Sequence, residues 1–327
     1  MKYNQLGKTD LKISELSFGT WAIGGDWGRI NDNDALRGLD IAMDRGVNFF
    51  DTADVYGMGH SEELLAQATK GKESSVHIAT KFCRRGDFQD PDNYSRQQVT
   101  EYVENSLKRL NREQIDLYQI HCPPFEIIKD GSVFEVLEDL KAEGKIRYYG
   151  VSVESVEEGL FVLENTNASS IQVIFNIFRQ KPLQELLPKA IEKQTGVLAR
   201  VPLASGLLTG KFNNDHTFEE NDHRYFNRNG DAFNVGETFA GLEFQRGVEL
   251  SKGLQWIAKD RGNMTRAALK WVMQNEAVTS IIPGFHSVEQ VEDNLQAVSS
   301  RDFSQEEMEK LQAFYDNEVY EHIRGIY

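Results

Sequence analysis

Eight short runs of mainly β-branched and aromatic residues punctuate the chain, and a longer amphipathic stretch follows each. They lie at 15–19 (ELSFG), 47–51 (VNFFD), 76–80 (VHIAT), 115–120 (IDLYQI), 146–151 (IRYYGV), 171–175 (IQVIF), 196–200 (GVLAR) and 278–282 (VTSII). Such runs suit strands. Between them, 33–46 crowds Leu36, Leu39, Ile41, Ala42 and Met43 on one side, and 95–110 repeats Val99, Val103, Leu107 and Leu110 at helical spacing. Regular alternation implies a parallel sheet with crossover helices. Eight right-handed units can close into an α/β fold, an eight-stranded parallel (β/α) barrel of the TIM type; an open doubly wound sheet is the alternative. In the barrel, all the carboxyl ends of the strands, and with them the active site, gather on one face.

Three segments depart from the alternation. Residues 6–14 read as a hairpin that plugs the other end of the barrel, and 203–241, after strand seven, is too long for an ordinary connection. Residues 304–327 read as an extra helix and an aromatic tail that folds over the strand mouths. The 327 residues could hold two average domains, but no internal repeat or low-complexity linker divides them, so 1–327 is expected to be a single domain. Lys and Arg number 36 against 51 Asp and Glu, and the net charge of -15 disfavours nucleic acid and anionic membranes. No apolar run approaches the roughly 18 residues of a membrane span, and the polar start does not read as a signal peptide. A cytoplasmic protein, a monomer or weak oligomer, is expected. Cys83 and Cys122 lack the pattern of a disulfide framework or a zinc site, and the histidines at 60, 77, 121, 216, 223, 286 and 322 contain no His-x-His pair. No metal is expected, which argues against a metal-dependent barrel hydrolase.

The stretch FFDTADVYG, 49–57, carries the chemistry. On the barrel reading Asp51 ends strand two, Tyr56 lies just beyond it, Lys81 ends strand three and His121 ends strand four. Each alone reads as an ordinary turn, loop or surface residue. Neighbouring strand ends on one rim bring all of them together. A Lys ammonium about 4 Å from the phenol is worth roughly 4 kcal/mol at an effective dielectric of about 20, which would lower the phenol pKa from ~10 by roughly 3 units. Asp51 would hold the lysine, and a neutral His121 could orient a substrate carbonyl by donating a hydrogen bond. The product is a proton donor beside a carbonyl site.

Several stretches, FGTWAIGG, NFFDTADVYGMGHSEELL, IATKF, SLKRLNREQIDLYQIHCP, GKIRYYGVSVES, IQVIFNIF, PLASGLLTGKF and IIPGFHSVEQVEDNLQA, make the chain resemble the aldo-keto reductases over about residues 3–300. It resembles the bacterial branch related to potassium-channel β subunits. The resemblance implies a nicotinamide cofactor, NADPH with NADH left open, bound without a glycine fingerprint. It implies reduction of an aldehyde or ketone to an alcohol, with hydride from the nicotinamide and the proton from Tyr56. Asp51, Tyr56, Lys81 and His121 match the family's catalytic tetrad.

Cofactor contacts implied by the resemblance fall on Thr20 and Trp21 near the nicotinamide, on Asp51, on Ser152 and Gln172 at its carboxamide, and on Arg200 below the ring. Pro202, Leu203, Ala204 and Ser205 match the turn around the pyrophosphate, with Lys211 nearby. Gly284, His286, Gln290, Asp293 and Asn294 match the adenosine end. There are departures. Arg200 stands where much of the family has an aromatic residue, Val153 where many have Asn, and Gly284 and Gln290 where a lysine and an arginine commonly grip a 2′-phosphate. His286, Ser287 and Arg224 remain for that phosphate. The Arg200 charge would oppose an oxidised nicotinamide, unless Arg200 pairs with an acid. For a small carbonyl substrate, Trp21, Trp27, Tyr56, Phe82, His121, Pro123 and Phe125 are expected around the mouth, while Arg84 and Arg85 read as a solvated loop or as a carboxylate grip. A redox-sensing regulatory module with incidental turnover is the alternative; the presence of His121 favours an enzyme.

Overall fold

The computed structural model describes residues 1–25 and 31–327. A short antiparallel hairpin, β1 (Tyr3–Gln5) and β2 (Lys12–Ser14), precedes eight parallel strands. These are β3 (Phe18–Gly19), β4 (Phe49–Asp51), β5 (His77–Phe82), β6 (Ile115–His121), β7 (Ile146–Ser152), β8 (Ser170–Ile174), β9 (Gly196–Arg200) and β10 (Ser280–Ile281), and each pairs with its neighbours in chain order. A bridge between Leu16 and Ile281, with the Ser17 amide donating to the Ile281 carbonyl at 2.9 Å, brings the last strand beside the first. The nearly closed sheet is the expected TIM barrel. Outer strands are shorter than the apolar runs suggested: 15–19 yields only Phe18–Gly19, and 278–282 only Ser280–Ile281.

Alternation along the strands divides the apolar residues between two cores. Phe49, Ala79, Leu117 and Leu198 point into the barrel, where Leu6, Leu11 and Ile13 of the hairpin segment pack on them as the plug. Their neighbours Phe50, Ile78, Tyr118, Val197 and Ala199 point outward into the larger core beneath the helices. The helix Arg96–Leu110 shows why these crossovers form: the Ser95 hydroxyl accepts from the Gln98 amide at its start, and Val99, Val103 and Leu110 are buried on one side.

The same alternation corrects one expectation. Lys81 points into the barrel, so Phe82 points away from it, fully buried and stacked on Tyr118 at 4.8 Å between centroids. Phe82 therefore belongs to the outer core and not to the mouth.

The connection 203–241 is built from short helical turns, Ala204–Thr209, His223–Phe226, Val235–Glu237 and Phe239–Gly241, lying along the open face. The tail after the helix Gln305–Phe314 packs against it: the Arg324 guanidinium donates to the carbonyls of Arg228, Gly241 and Leu242. Among the described residues no helix is long and apolar enough to cross a membrane.

Candidate active site

At the carboxyl ends of the strands lies a cleft of about 1200 Å³. Lys81 is buried at its floor, and its Nζ donates to Asp51 Oδ1 at 2.5 Å, to the Thr52 carbonyl at 2.8 Å and to the Tyr56 hydroxyl at 3.4 Å. The other Asp51 oxygen accepts from Gln119 Nε2 at 3.1 Å and Gln172 Nε2 at 2.8 Å. Both oxygens are thus oriented, and the lysine is aimed at the phenol. His121 stands edge-on to Tyr56, 5.7 Å between ring centroids, and Trp21 stacks on Tyr56 from the cleft side at 5.9 Å. All four tetrad residues therefore meet.

Tyr56 owes its place to a tight turn. Gly57, Met58 and Gly59 all have positive φ, and a Cβ on Gly57 would lie 2.1 Å from the Gly24 carbonyl oxygen. Only glycine permits that approach. The turn is thereby pressed against the short helix Trp21–Gly24.

Electrostatics here differ from the sequence expectation. The Tyr56 phenol is pushed well above its usual range, by burial first and then by Asp51 and Glu237, although Arg200 pulls it down. Lys81 sits closer to Asp51, at 2.5 Å, than to the phenol, at 3.4 Å. Tyr56 therefore keeps its proton at neutral pH. His121 is held well below the usual imidazole range by burial, then by Lys81, Arg84 and Arg200, so it is neutral as anticipated. Its Nδ1 is buried without a hydrogen-bond partner among the described residues. An unpaired acceptor is more readily tolerated there than an unpaired N–H, which favours the proton on Nε2.

Other anticipated residues divide into two groups. Trp21, Gln172, Arg200, Pro202, Leu203, Ser205, Lys211, Gly284, His286, Gln290, Asp293 and Asn294 line the cleft. Thr20, Ser152 and Ala204 lie buried behind it: the Thr20 hydroxyl donates to the Asp51 carbonyl at 3.1 Å, and Ser152 Oγ accepts from the Cys122 thiol at 3.3 Å. Pro123 and Phe125 do not join the lining, and Phe125 packs edge-on against Phe161 at 5.6 Å. Trp27 lies outside the described residues.

Of the arginines singled out on charge, Arg84 and Arg200 are already paired. Arg84 is no solvated grip: Nε donates to the His121 carbonyl and Nη2 to the Cys122 carbonyl, both at 2.8 Å, and Glu154 lies 3.3 Å from Nη2. Arg200 is 7% exposed and ion-paired with Glu237, and its Nη2 donates to the Val153 carbonyl at 3.0 Å. Cys122, Glu154 and Glu237 bring their donor atoms within 4.8 Å of one another, but these arginines occupy both carboxylates and burial pushes the thiol up to about 11. An ion-pair cluster, not a metal centre, is the better description.

Sequence reasoning missed Phe88, Phe226 and Phe233, which add aromatic surface to the cleft, and Arg266, whose Nε donates to Asp293 at 2.7 Å. It also missed Asp54, within the DTADVYG motif itself. Asp54 is wholly buried, neither carboxylate oxygen has a hydrogen-bond partner among the described residues, and burial first, then Glu62, push it up to about 7.

Between about pH 4 and 7 the folded protein retains a proton on Asp54 that the unfolded chain has released, so stability falls as pH rises through that window and is flat above it. A shift of this size amounts to about 4 kcal/mol. Asp54→Asn should remove this slope, so the variant's Tm should gain on the parent's from pH 4.5 to 8. Parallel Tm curves over that range would show that Asp54 is ionised and compensated by Arg85 and Arg109.

Comparison with known proteins places this geometry. A model of the aldo/keto reductase family matches residues 15–316. The uncharacterized oxidoreductase YqkF of Bacillus subtilis is 34% identical over 98% of this chain and 98% of its own. A probable voltage-gated potassium channel subunit beta of Arabidopsis thaliana is 31% identical over 91% of each. Among solved structures, the glycerol dehydrogenase AKR11B4 of Gluconobacter oxydans superposes with a TM-score of 0.78 at 32% identity, covering 97% of this chain and 96% of that one. Both the sequence match along the barrel and the shared architecture lead to one assignment: the chain belongs to the aldo/keto reductase family of NAD(P)H-dependent oxidoreductases.

Proposed function

We propose that the protein reduces aldehydes or ketones to alcohols with NADPH, with Tyr56 as the proton donor, and that it works in the cytoplasm as a monomer or weak oligomer. The observation that supports this most is the chain Asp51–Lys81–Tyr56 at the floor of a single long cleft. The residues fit a nicotinamide dinucleotide. Lys211, Arg224 and Arg266 line the cleft together with Gly284 and Asn294, Arg224 paired with Asp222 and Arg266 with Asp293. Lys211, Arg224 and Arg266 would hold the phosphates, and Arg200 and Tyr56 would flank the ring. Bound there, the dinucleotide supplies a hydride to the carbonyl carbon.

Each remaining step falls to the chain. His121, neutral, donates a hydrogen bond that orients the carbonyl oxygen. Tyr56 gives its proton to that oxygen as negative charge develops on it, and Lys81, held by Asp51, stabilises the phenolate left behind. Trp21, Phe88, Phe226 and Phe233 exclude water and accept an apolar substrate body. Arg224, which is paired with Asp222, and His286 are the groups we assign to the extra phosphate of NADPH.

Two measurements test the proposal. Kd for NADPH and NADH, read by quenching of protein fluorescence, should favour NADPH by at least about tenfold, and Arg224→Ala should erase most of the difference; each tenfold is about 1.4 kcal/mol. Equal constants in the parent would refute the preference for NADPH. Loss of NADPH absorbance with a panel of aldehydes and ketones should show turnover. Tight binding with negligible turnover on every compound would overturn the reductase reading in favour of a redox-sensing module.

A further inference from the structure

Glu237 belongs to neither the tetrad nor the anticipated cofactor contacts, yet it lines the cleft and carries the partner charge of Arg200. The two residues are 37 positions apart, one at the end of β9 and the other on the turn Val235–Glu237 of the long connection. Their juxtaposition is held on both sides. The Arg200 guanidinium is fixed by the Val153 carbonyl at 3.0 Å and by Cys122 Sγ at 3.6 Å. The Glu237 backbone is fixed by the Ser205 hydroxyl, which donates to its carbonyl at 3.1 Å and accepts from the Phe239 amide at 3.0 Å. Next to it, Gly236 abuts the buried Arg179, whose Nη1 would lie 2.0 Å from an added Cβ. Glu237 cannot easily drift from Arg200.

The floor of the cleft is built from matched charges. Lys81 has Asp51, Arg84 has Glu154 and Arg200 has Glu237. Removing one carboxylate leaves its cation without its direct partner in a site shielded from water, where its field is weakly screened; for Arg200 only Glu154, already paired with Arg84, would remain nearby. For Arg200 that field would fall on whatever ring lies beside Tyr56. A reduced nicotinamide ring is neutral and an oxidised one is positive, so an isolated Arg200 would discriminate against the oxidised form.

We infer that Glu237 is a positioning residue that neutralises Arg200 and thereby lets the site hold the oxidised and the reduced cofactor with comparable strength. The inference rests on the nicotinamide reading above. It places the control of redox-state preference on the long connection, outside the barrel and outside the tetrad.

Dissociation constants for NADPH and NADP⁺, measured by fluorescence quenching or calorimetry without any substrate, test it. Glu237→Gln should raise the ratio of the NADP⁺ constant to the NADPH constant at least about tenfold, as expected for an unscreened buried charge near a cationic ring. Glu237→Asp should restore most of the parent ratio. Arg200→Met should move the ratio the other way, since it leaves the Glu237 carboxylate unpaired, and it keeps the idea testable if Glu237→Gln fails to fold. A merely structural role for the pair would weaken both forms equally and leave the ratio unchanged, which overturns the inference. So would shifts in the same direction for Glu237→Gln and Arg200→Met. If the parent protein binds neither form, it is the nicotinamide reading itself that fails.

Discussion

Replacing Tyr56 with phenylalanine should lower kcat/KM for carbonyl reduction by about 10³-fold, within the 10²–10⁴ range of general acid catalysis, while leaving the dissociation constant for NADPH within a factor of about three. The ring of Trp21 would still stack on the substituted side chain, and the Lys81–Asp51 pair would remain, so only the proton donor is removed. The pH dependence gives a second readout. Because burial and Asp51 push the phenol upward, its proton is retained as pH rises, and kcat should stay level through pH 9 instead of beginning to fall below the ordinary tyrosine value. Residual activity within tenfold of the parent would mean that the proton comes from elsewhere, and His121 would be the group to test next.

Lys81→Met should have the largest effect on stability. It strands the carboxylate of Asp51, which is 2% exposed and would keep only the amides of Gln119 and Gln172 on one oxygen. Breaking a buried ion pair from one side costs about 3–5 kcal/mol, because the orphaned charge cannot recover its water. Thermal unfolding should therefore begin several degrees lower. The double variant Lys81→Met with Asp51→Asn removes both charges and should regain much of that loss, yet remain inactive, since the phenolate would have no cation beside it. If the double variant is no more stable than the single one, the pair is not the source of the destabilisation.

How much of this could be read from the chain depended on distance along it. Strand β9 falls on the apolar run that suggested it, and β5 to β8 agree with theirs within two residues at each end, because alternation and length are local signals. The tetrad was legible because each member lies at or just beyond a strand end that the sequence marks. Phe82 was misplaced because adjacency to Lys81 was taken as proximity, whereas neighbours in a strand face opposite ways. Arg200 and Glu237 were beyond reach: their pairing spans a connection with no periodic pattern, and its turns are set by tertiary contacts such as Arg324 on Gly241. Asp54 sits inside a recognisable motif, but only its burial in the folded chain, with Glu62 beside it and against the pull of Arg85 and Arg109, explains its protonation.

The seam of the barrel carries a consequence for how the chain reaches this state. Its two bordering strands, β3 and β10, are the shortest of the eight, and Ser17 and Ser280, whose hydroxyls meet across it at 2.8 Å, are 263 positions apart. During synthesis β3 emerges early and waits with one unpaired edge until nearly the whole chain has been made. Such an edge invites pairing with another molecule, and contacts of such long sequence separation form slowly. Pairing of β10 with β3 therefore ends the interval in which aggregation competes with folding.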